Sequence, residues 1–195
     1  MCRSIVILIF VFVLNLCVSA QLTNSEFKTL VWNNSHVVSY EIGERNVILR
    51  LEAIADYTDD SDPAVNFGKR DFVSIRVDVN NNNQIDERVD LAFGIRSNSS
   101  LFCPQFLYDE RSSSACCQQR SGGGLKISFD ESPFHATQHP IFEFTIPKSE
   151  LTGHSTTVGL VFRFHSAGAG FAHYPAESRS PLNFEKTLPL TVSVD

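Results

Sequence analysis

The sequence lacks an apolar stretch of about 18 residues, the length that a membrane-spanning helix needs. Its longest apolar run, residues 5–16, follows Arg3 and precedes a small-residue Val-Ser-Ala stretch. A short positive region, an apolar core and a small-residue cleavage site are the features of a secretory signal peptide. We therefore predict that residues 1–20 are removed and that residues 21–195 form one secreted domain.

The sequence also has little basic charge. It contains 16 Lys and Arg against 22 Asp and Glu, which gives a formal net charge of −6 at neutral pH. Loss of Arg3 with the signal peptide would make the mature domain more acidic still. Because anionic polymers and lipids bind to positively charged surfaces, this balance argues against nucleic acid and anionic membranes as partners.

The short motifs of common catalytic sites are missing. No Gly-x-Ser-x-Gly elbow, phosphate-binding glycine loop or dinucleotide-binding fingerprint is present. His135 and His139 have the spacing of zinc proteases, but Ala136 replaces the Glu of that motif and prolines bracket the pair. We interpret both as ordinary loop histidines and predict that the protein is not an enzyme. A metal-dependent hydrolase is the alternative.

Cysteine becomes scarce once the signal peptide is removed. Of five cysteines, Cys2 and Cys17 leave with it, and Cys103, Cys116 and Cys117 remain. In an oxidising compartment, three cysteines allow one disulfide and leave one thiol. We predict a bridge from Cys103 to Cys116 or Cys117, because a bond between adjacent cysteines is strained. The remaining thiol allows a disulfide-linked dimer as an alternative.

Two tripeptides fit the acceptor pattern for N-linked glycosylation. They begin at Asn33 and Asn98. In a secreted chain such tripeptides mark surface loops, so both asparagines are candidate glycosylation sites.

Apolar and polar residues alternate along most of the mature chain. In residues 46–53, for example, Val47, Leu49 and Leu51 fall on one face and Arg50 falls on the other. Such alternation predicts half-buried β-strands. Eight segments show it: residues 36–42, 46–53, 72–79, 89–95, 125–129, 141–146, 158–165 and 188–194.

Short strands separated by Gly, Pro, Asn and Ser clusters predict an all-β fold, an antiparallel β-sandwich of the jelly-roll or Ig-like type. A single helical turn is predicted at residues 147–151, which begin with proline. Residues 97–124 show no strand pattern and hold all three mature cysteines. We interpret this segment as a long surface excursion.

An asparagine-rich acidic loop follows the strand predicted at residues 72–79. Its oxygen-bearing side chains recur at alternate positions, as in the first part of an EF-hand-type calcium loop. They are Asp78, Asn80, Asn82, Gln84 and Asp86, and Asp90 could supply the last ligand if the loop is one residue longer. Asn83 stands at the position of the usual Gly, and Asn can also adopt the left-handed backbone needed there. Val89 stands where a calcium loop has its bidentate Glu. We predict a weak structural calcium site, with a solvated hairpin turn as the alternative.

Aromatic rings exposed at the surface are candidate platforms for sugars. The abundant phenylalanines alternate within predicted strands, as Phe142 and Phe144 do, and are therefore predicted to lie in the core. The candidate exposed rings are Trp32, Tyr108 and Tyr174.

Three segments together resemble the CBM9-like and DOMON-like group of extracellular β-sandwiches. They are the strand that ends in an acidic turn at residues 77–86, the segment at 142–151 that begins Phe-Glu-Phe-Thr-Ile-Pro, and the strand at 158–162. The resemblance implies sugar binding or, in some relatives, haem binding through Met and His. The only methionine, Met1, lies in the predicted signal peptide, so haem ligation of that kind is excluded.

These observations predict a secreted, non-catalytic module that recognises carbohydrate and carries a structural calcium ion. In relatives with a sugar site, tryptophans clamp the ligand, but this sequence contains only Trp32, outside the matching segments. The alternative is an extracellular matrix or protein-interaction protein that does not bind glycans.

Overall fold

The computed structural model describes residues 27–59, 71–86, 89–94, 124–153, 155–166, 168–177 and 184–193. Over these ranges the chain forms ten β-strands and one short helix. They are β1 (Lys28–Trp32), β2 (Val37–Ile42), β3 (Asn46–Glu52), β4 (Phe72–Asp78), β5 (Leu91–Gly94), β6 (Gly124–Ser132), β7 (His135–Pro147), α1 (Lys148–Leu151), β8 (Thr157–Ser166), β9 (Gly170–Tyr174) and β10 (Leu188–Thr191). The predicted signal peptide, the three mature cysteines, Tyr108 and Asn98 lie outside the described residues.

The described strands form two five-stranded antiparallel sheets. The first sheet has the order β1-β2-β3-β7-β6, and the second has the order β10-β8-β4-β5 with β9 also paired to β8. The predicted β-sandwich is therefore confirmed.

The core lies between the inward faces of the two sheets. On β3 the fully buried Val47, Leu49 and Leu51 alternate with partly exposed neighbours, as expected for side chains that point to opposite faces. On β8, Phe162 and Phe164 point into the same core. Burying this apolar surface supplies the main driving force for folding, at about 25 cal/mol per Å².

All eight predicted strands have counterparts in the structure, and the predicted helical turn is α1, which Pro147 immediately precedes. β1 and β9 were not predicted. Residues 135–140 were predicted as a loop, but they belong to β7, which forms a long hairpin with β6. No described helix has the length and apolar character needed to cross a bilayer.

The β6–β7 hairpin extends past the end of β3. β3 pairs with β7 only as far as Ile141, whereas β6 and β7 stay paired to His135. The aromatic ring of Phe134, in the hairpin turn, reaches that of Trp32 although β1 and β6 are at opposite edges of their sheet. The turn of this hairpin therefore reaches the end of β1 at one end of the sandwich.

Candidate ligand site at one end of the sandwich

Exposed aromatic rings gather at the end of the sandwich where β1 and β3 finish and β7 begins. Trp32 is 64% exposed and Tyr57, just after β3, is 59% exposed. The Trp32 ring meets Phe134 edge-on at 5.6 Å between centroids, and the Tyr57 ring lies 6.1 Å from that of His135. Because Phe134 and His135 are adjacent, the two exposed rings flank one turn. We call this end of the sandwich, where these four residues lie, the aromatic end.

The loop that carries Tyr57 is fixed by a buried carboxylate. Asp56 is fully buried and accepts hydrogen bonds from the Ser166 hydroxyl, from the Gly168 N–H at 3.1 Å, and from the Thr58 N–H at 2.9 Å. Burial raises the pKa of Asp56, but these hydrogen bonds outweigh burial and hold the pKa below its usual range. This network joins the loop after β3 to the turn between β8 and β9.

Gly168 allows that close approach. A Cβ atom at this position would lie 2.8 Å from both the Cα and Oδ1 atoms of Asp56, closer than real contacts permit. Any larger residue would therefore push the β8–β9 turn away from the loop that carries Tyr57.

A buried ion pair supports the other side of the aromatic end. Neither His139 nor Glu52 has an exposed side chain, and His139 Nε2 lies 2.9 Å from Glu52 Oε2. His139 Nδ1 must donate its proton to the Thr137 carbonyl oxygen, 2.7 Å away, because a carbonyl oxygen can only accept. Burial would lower the pKa of His139, but the hydrogen bonds and charges of Glu52, Thr137 and Asp130 raise it overall.

The β1–β2 turn lies beside Trp32 and is tied to the second sheet. Asn33 Oδ1 accepts hydrogen bonds from the N–H groups of Ser35 and His36, at 2.8 and 2.9 Å. Asn33 Nδ2 donates to the Tyr174 hydroxyl at 2.6 Å, and that hydroxyl lies 3.2 Å from His36 Nδ1. The turn therefore has both local and long-range support.

The acidic loop, residues 78–90, lies at the opposite end of the sandwich. Asp78 pairs with Gly159 on β8, seven residues from Ser166, which corresponds to roughly 23 Å along a strand. Asp78 accepts the N–H groups of Asn82 and Asn83, at 3.1 and 2.7 Å. The acidic loop and the aromatic end are thus separate sites.

Within the acidic loop, Asn81 and Asn83 adopt positive φ angles of 54° and 59°. Asn83 therefore takes the left-handed backbone that a calcium loop assigns to Gly. Asp90 accepts the N–H groups of Val79 and Asp86, at 3.0 and 2.6 Å. Burial raises the pKa of Asp90, and the charges of Asp78 and Asp86 add to that rise against the two hydrogen bonds.

Among the described residues of the loop, one buried side-chain oxygen has no hydrogen-bond partner. Asn80 Oδ1 makes no hydrogen bond, and an oxygen of this kind can ligate a hard cation such as calcium. Over the described ranges, however, no group of three or more His, Cys, Asp and Glu side chains is arranged to hold a metal ion. A cation here would therefore depend on amide and backbone oxygens as well as on carboxylates.

Comparison with solved structures gives the type of sandwich. A carbohydrate binding module family 9 (CBM9) from Caldicellulosiruptor kristjanssonii in complex with cellotriose matches with a TM-score of 0.53 and 12% identity, over 87% of this chain and 83% of that chain. This chain has a CBM9-like fold. The glucose complex of a CBM9 from the same organism matches with a TM-score of 0.50 and 12% identity, over 88% and 85% of the two chains.

The CBM9-like resemblance drawn from the sequence is confirmed at the level of the fold. At 12% identity the structural match shows the fold and no more. No protein-family model and no curated protein matches the sequence.

The predicted ring residues have different positions in this CBM9-like sandwich. Trp32 belongs to the aromatic end and is exposed, as predicted. Tyr174 lies at the same end, but its ring is partly buried against Phe164 and His36, so the prediction of an exposed ring is wrong at this position. Its hydroxyl instead joins the two sheets through Asn33.

Sequence reasoning missed Tyr57, Phe134 and the Glu52–His139 pair. Tyr57 has a recognisable signal, because it stands in a polar Asp-Tyr-Thr-Asp-Asp segment directly after a predicted strand. Phe134 follows a proline in a turn between two predicted strands. No spacing in the sequence indicates that Glu52 meets His139, since 87 positions separate them.

Proposed function

We propose that this chain is a secreted, non-catalytic module that binds carbohydrate at the aromatic end. The observation that carries the proposal is the exposure of Trp32, whose indole ring is 64% exposed beside the 59% exposed ring of Tyr57. Two large rings left in water at one place mark a binding surface, because folding normally buries them. The solved CBM9 neighbours, which hold cellotriose and glucose, support carbohydrate as the ligand class.

The chemistry of the aromatic end suits a pyranose ring. The flat faces of Trp32 and Tyr57 offer apolar surface for the C–H groups of a sugar, and polar groups nearby orient its hydroxyls. His135 and Thr137, on β7 beside Phe134, are the candidates for those hydrogen bonds because both are at least partly exposed. We expect the sugar to contact Trp32 first, since that ring is the more exposed.

The burial of two nearby carboxylates supports binding without hydrolysis. Glycoside hydrolysis requires two carboxyl groups that flank the scissile bond. The carboxylates of Glu52 and Asp56 are fully buried and already engaged by His139 and by Ser166, so neither is available for that role.

The decisive experiment measures retention of the secreted chain by a panel of neutral polysaccharides and oligosaccharides. Trp32→Ala should weaken binding about tenfold or more, because central aromatic residues dominate such interfaces. The matched control is Ile42→Ala, at the far end of β2, where the side chain is 36% exposed. Wild-type binding by Trp32→Ala would refute the site. Absence of any glycan binding would refute the function and favour the protein-partner alternative.

Secretion is part of the same proposal and has its own test. Expression of the full chain in a eukaryotic secretory host should release a protein whose first residue is Gln21. An N-terminal sequence that starts at Met1, or retention of the chain in the cell, would contradict the predicted signal peptide.

We further propose that the acidic loop binds a calcium ion through Asp78, Asn80, Asn82, Gln84, Asp86 and Asp90. Two observations favour it. Asn80 Oδ1 is buried without a hydrogen-bond partner, and the pKa of Asp90 is raised by burial and by the nearby charges of Asp78 and Asp86. A divalent cation would satisfy the oxygen and offset the repulsion. The role of the ion would be to stabilise the loop.

Calcium should raise the melting temperature of the wild-type chain at concentrations of about 10⁻⁴ to 10⁻³ M, as in other extracellular modules. Asp78→Ala should abolish this rise, but it also removes hydrogen bonds to Asn82 and Asn83. Asn80→Ala is the cleaner variant, because its side-chain oxygen makes no hydrogen bond. A calcium-induced rise that survives both substitutions would refute the site.

A further inference from the structure

A chain of three hydrogen-bonding side chains joins the two sheets beside Trp32. Asn33, in the β1–β2 turn of the first sheet, donates from Nδ2 to the hydroxyl of Tyr174 on β9 of the second sheet at 2.6 Å. The same hydroxyl lies 3.2 Å from Nδ1 of His36. The residues are 141 and 138 positions apart along the sequence, so this contact depends on the complete fold.

The Tyr174 hydroxyl is the centre of these contacts. It accepts from Asn33 Nδ2, and its contact with His36 Nδ1 can form with either tautomer of a neutral imidazole, because a hydroxyl both donates and accepts. His36 is neutral, because its side chain is 2% exposed and burial lowers its pKa to about 4.

Asn33 and Tyr174, which lie on different sheets, each have further contacts that fix their positions. The Asn33 amide oxygen accepts two backbone N–H groups of its own turn, and the Asn33 N–H donates to the His36 carbonyl at 3.1 Å. On the other side, the Tyr174 ring packs against Phe164, with centroids 6.0 Å apart, and against His36 at 5.9 Å.

We propose that Asn33, Tyr174 and His36 form a latch that holds the backbone of Trp32 in the position needed for ligand binding. Trp32 directly precedes Asn33 and is the last residue of β1, so a displacement of the turn displaces the indole ring. The ring itself is largely exposed and has Phe134 as an edge-on neighbour, so its placement depends on the backbone. The part of the proposal that concerns the ligand rests on the proposed carbohydrate function. The part that concerns the Trp32 ring does not.

Asn33 is also the first residue of a glycosylation tripeptide, and a glycan there is a competing explanation for any effect of changing it. Ser35→Ala separates the two explanations. It removes the tripeptide but keeps the Ser35 backbone N–H that bonds to Asn33 Oδ1. If the latch holds Trp32, Ser35→Ala should have the fluorescence anisotropy, acrylamide quenching and polysaccharide binding of the wild type.

The test is Tyr174→Phe, which deletes the hydroxyl and keeps the ring in the core. Trp32 is the sole tryptophan, so intrinsic fluorescence reports on it alone. In the variant, we expect lower fluorescence anisotropy, more quenching by acrylamide, and about five-fold weaker binding to the retained polysaccharide, the loss expected for one hydrogen bond. Thr191→Val is the control, because it removes a hydroxyl contact to Thr157 at the opposite end.

The outcomes separate the latch from its alternatives. Unchanged Trp32 anisotropy and quenching in Tyr174→Phe would overturn the latch, as would equal changes in Thr191→Val, which would indicate a general loss of stability. Equal changes in Ser35→Ala, which keeps all three latch side chains, would show that these readouts do not report on the latch and would also overturn it. If the wild-type chain binds no glycan, the proposed function fails, and the fluorescence of Tyr174→Phe still decides whether the latch holds Trp32.

Discussion

Two buried aspartates at opposite ends of the sandwich have pKa values shifted in opposite directions. Asp56, beside the aromatic end, accepts hydrogen bonds from Ser166, Gly168 and Thr58, and its pKa is lowered although burial alone would raise it. Asp90, in the acidic loop, accepts two backbone N–H groups, yet its pKa is raised. At Asp90 the two hydrogen bonds do not outweigh burial, to which the charges of Asp78 and Asp86 add.

The two carboxylates differ in what the protein supplies to them. Donors from Ser166, Gly168 and Thr58 serve Asp56, and these bonds hold the loop that carries Tyr57 in place. Burial and the nearby charges of Asp78 and Asp86 act together to raise the pKa of Asp90. This contrast supports the proposed cation site in the acidic loop.

The largest expected effect is at the aromatic end, where Glu52→Ala leaves His139 buried without its partner. Removing one member of a buried ion pair costs about 3 to 5 kcal/mol of unfolding free energy. Urea denaturation at neutral pH measures it. A loss below about 1 kcal/mol would show that the pair does not support this end.

Glu52→Gln is the matched control for charge. The raised pKa of His139 means that its contribution to stability is fully present below its ordinary value of 6.5 and is lost as the pH rises through the folded-state pKa. In Glu52→Gln the amide has no charge to hold the proton on His139. The decline of the unfolding free energy with rising pH should therefore largely disappear. An unchanged pH profile above 6.5 would contradict the assignment.

Asp56→Ala should have the next largest effect, about 2 to 3 kcal/mol, because the buried donors at Ser166 and Gly168 lose their acceptor. Glu131→Ala is the control. Glu131 is an exposed carboxylate on the same hairpin as His135, and its loss should cost less than about 0.5 kcal/mol.

The acid response sharpens this prediction. Because the pKa of Asp56 is lowered, its contribution is present above the ordinary value of 3.8 and is lost as the pH falls through the folded-state pKa. The stability difference between wild type and Asp56→Ala should therefore shrink in acid. If the stability difference between wild type and Asp56→Ala stays constant as the pH falls below 3.8, Asp56 acts through packing and not through its charge.

The smallest expected effect is at the acidic loop. In the absence of calcium, Asn80→Ala should change the unfolding free energy by less than about 0.5 kcal/mol, since no hydrogen bond is lost. Combined with Trp32→Ala, its effect should be additive, because the two ends are roughly 23 Å apart along β8. A coupling energy above about 0.5 kcal/mol would show that the ends are not independent.

Much of the fold could be predicted from the sequence because it rests on local alternation. Residues 46–53 alternate apolar and polar side chains and form β3, and Pro147 marks the start of α1. β9 was missed because Gly168 and Ala169 just before it, and Gly170 as its first residue, break the apolar pattern. β1 was missed because its apolar residues, such as Leu30 and Val31, are consecutive and do not alternate.

The two candidate sites also differ in how far they depend on local sequence. The acidic loop is local, since the hydrogen bonds of Asp78 and Asp90 reach no more than 11 positions along the chain, and its residues could be named from spacing. The aromatic end depends on contacts such as Asn33 to Tyr174, which the sheet topology creates and no sequence spacing reveals. Trp32 was predicted as an exposed ring, but its neighbours were not.

The central claim is that carbohydrate binds on Trp32, and titration of its fluorescence with a retained oligosaccharide tests it most directly. Because Trp32 is the sole tryptophan, a ligand stacked on it should change the emission in a saturable way, with the same Kd that retention or calorimetry gives. Ile42→Ala should leave this change intact. Binding measured by calorimetry with no change in Trp32 emission would contradict the account.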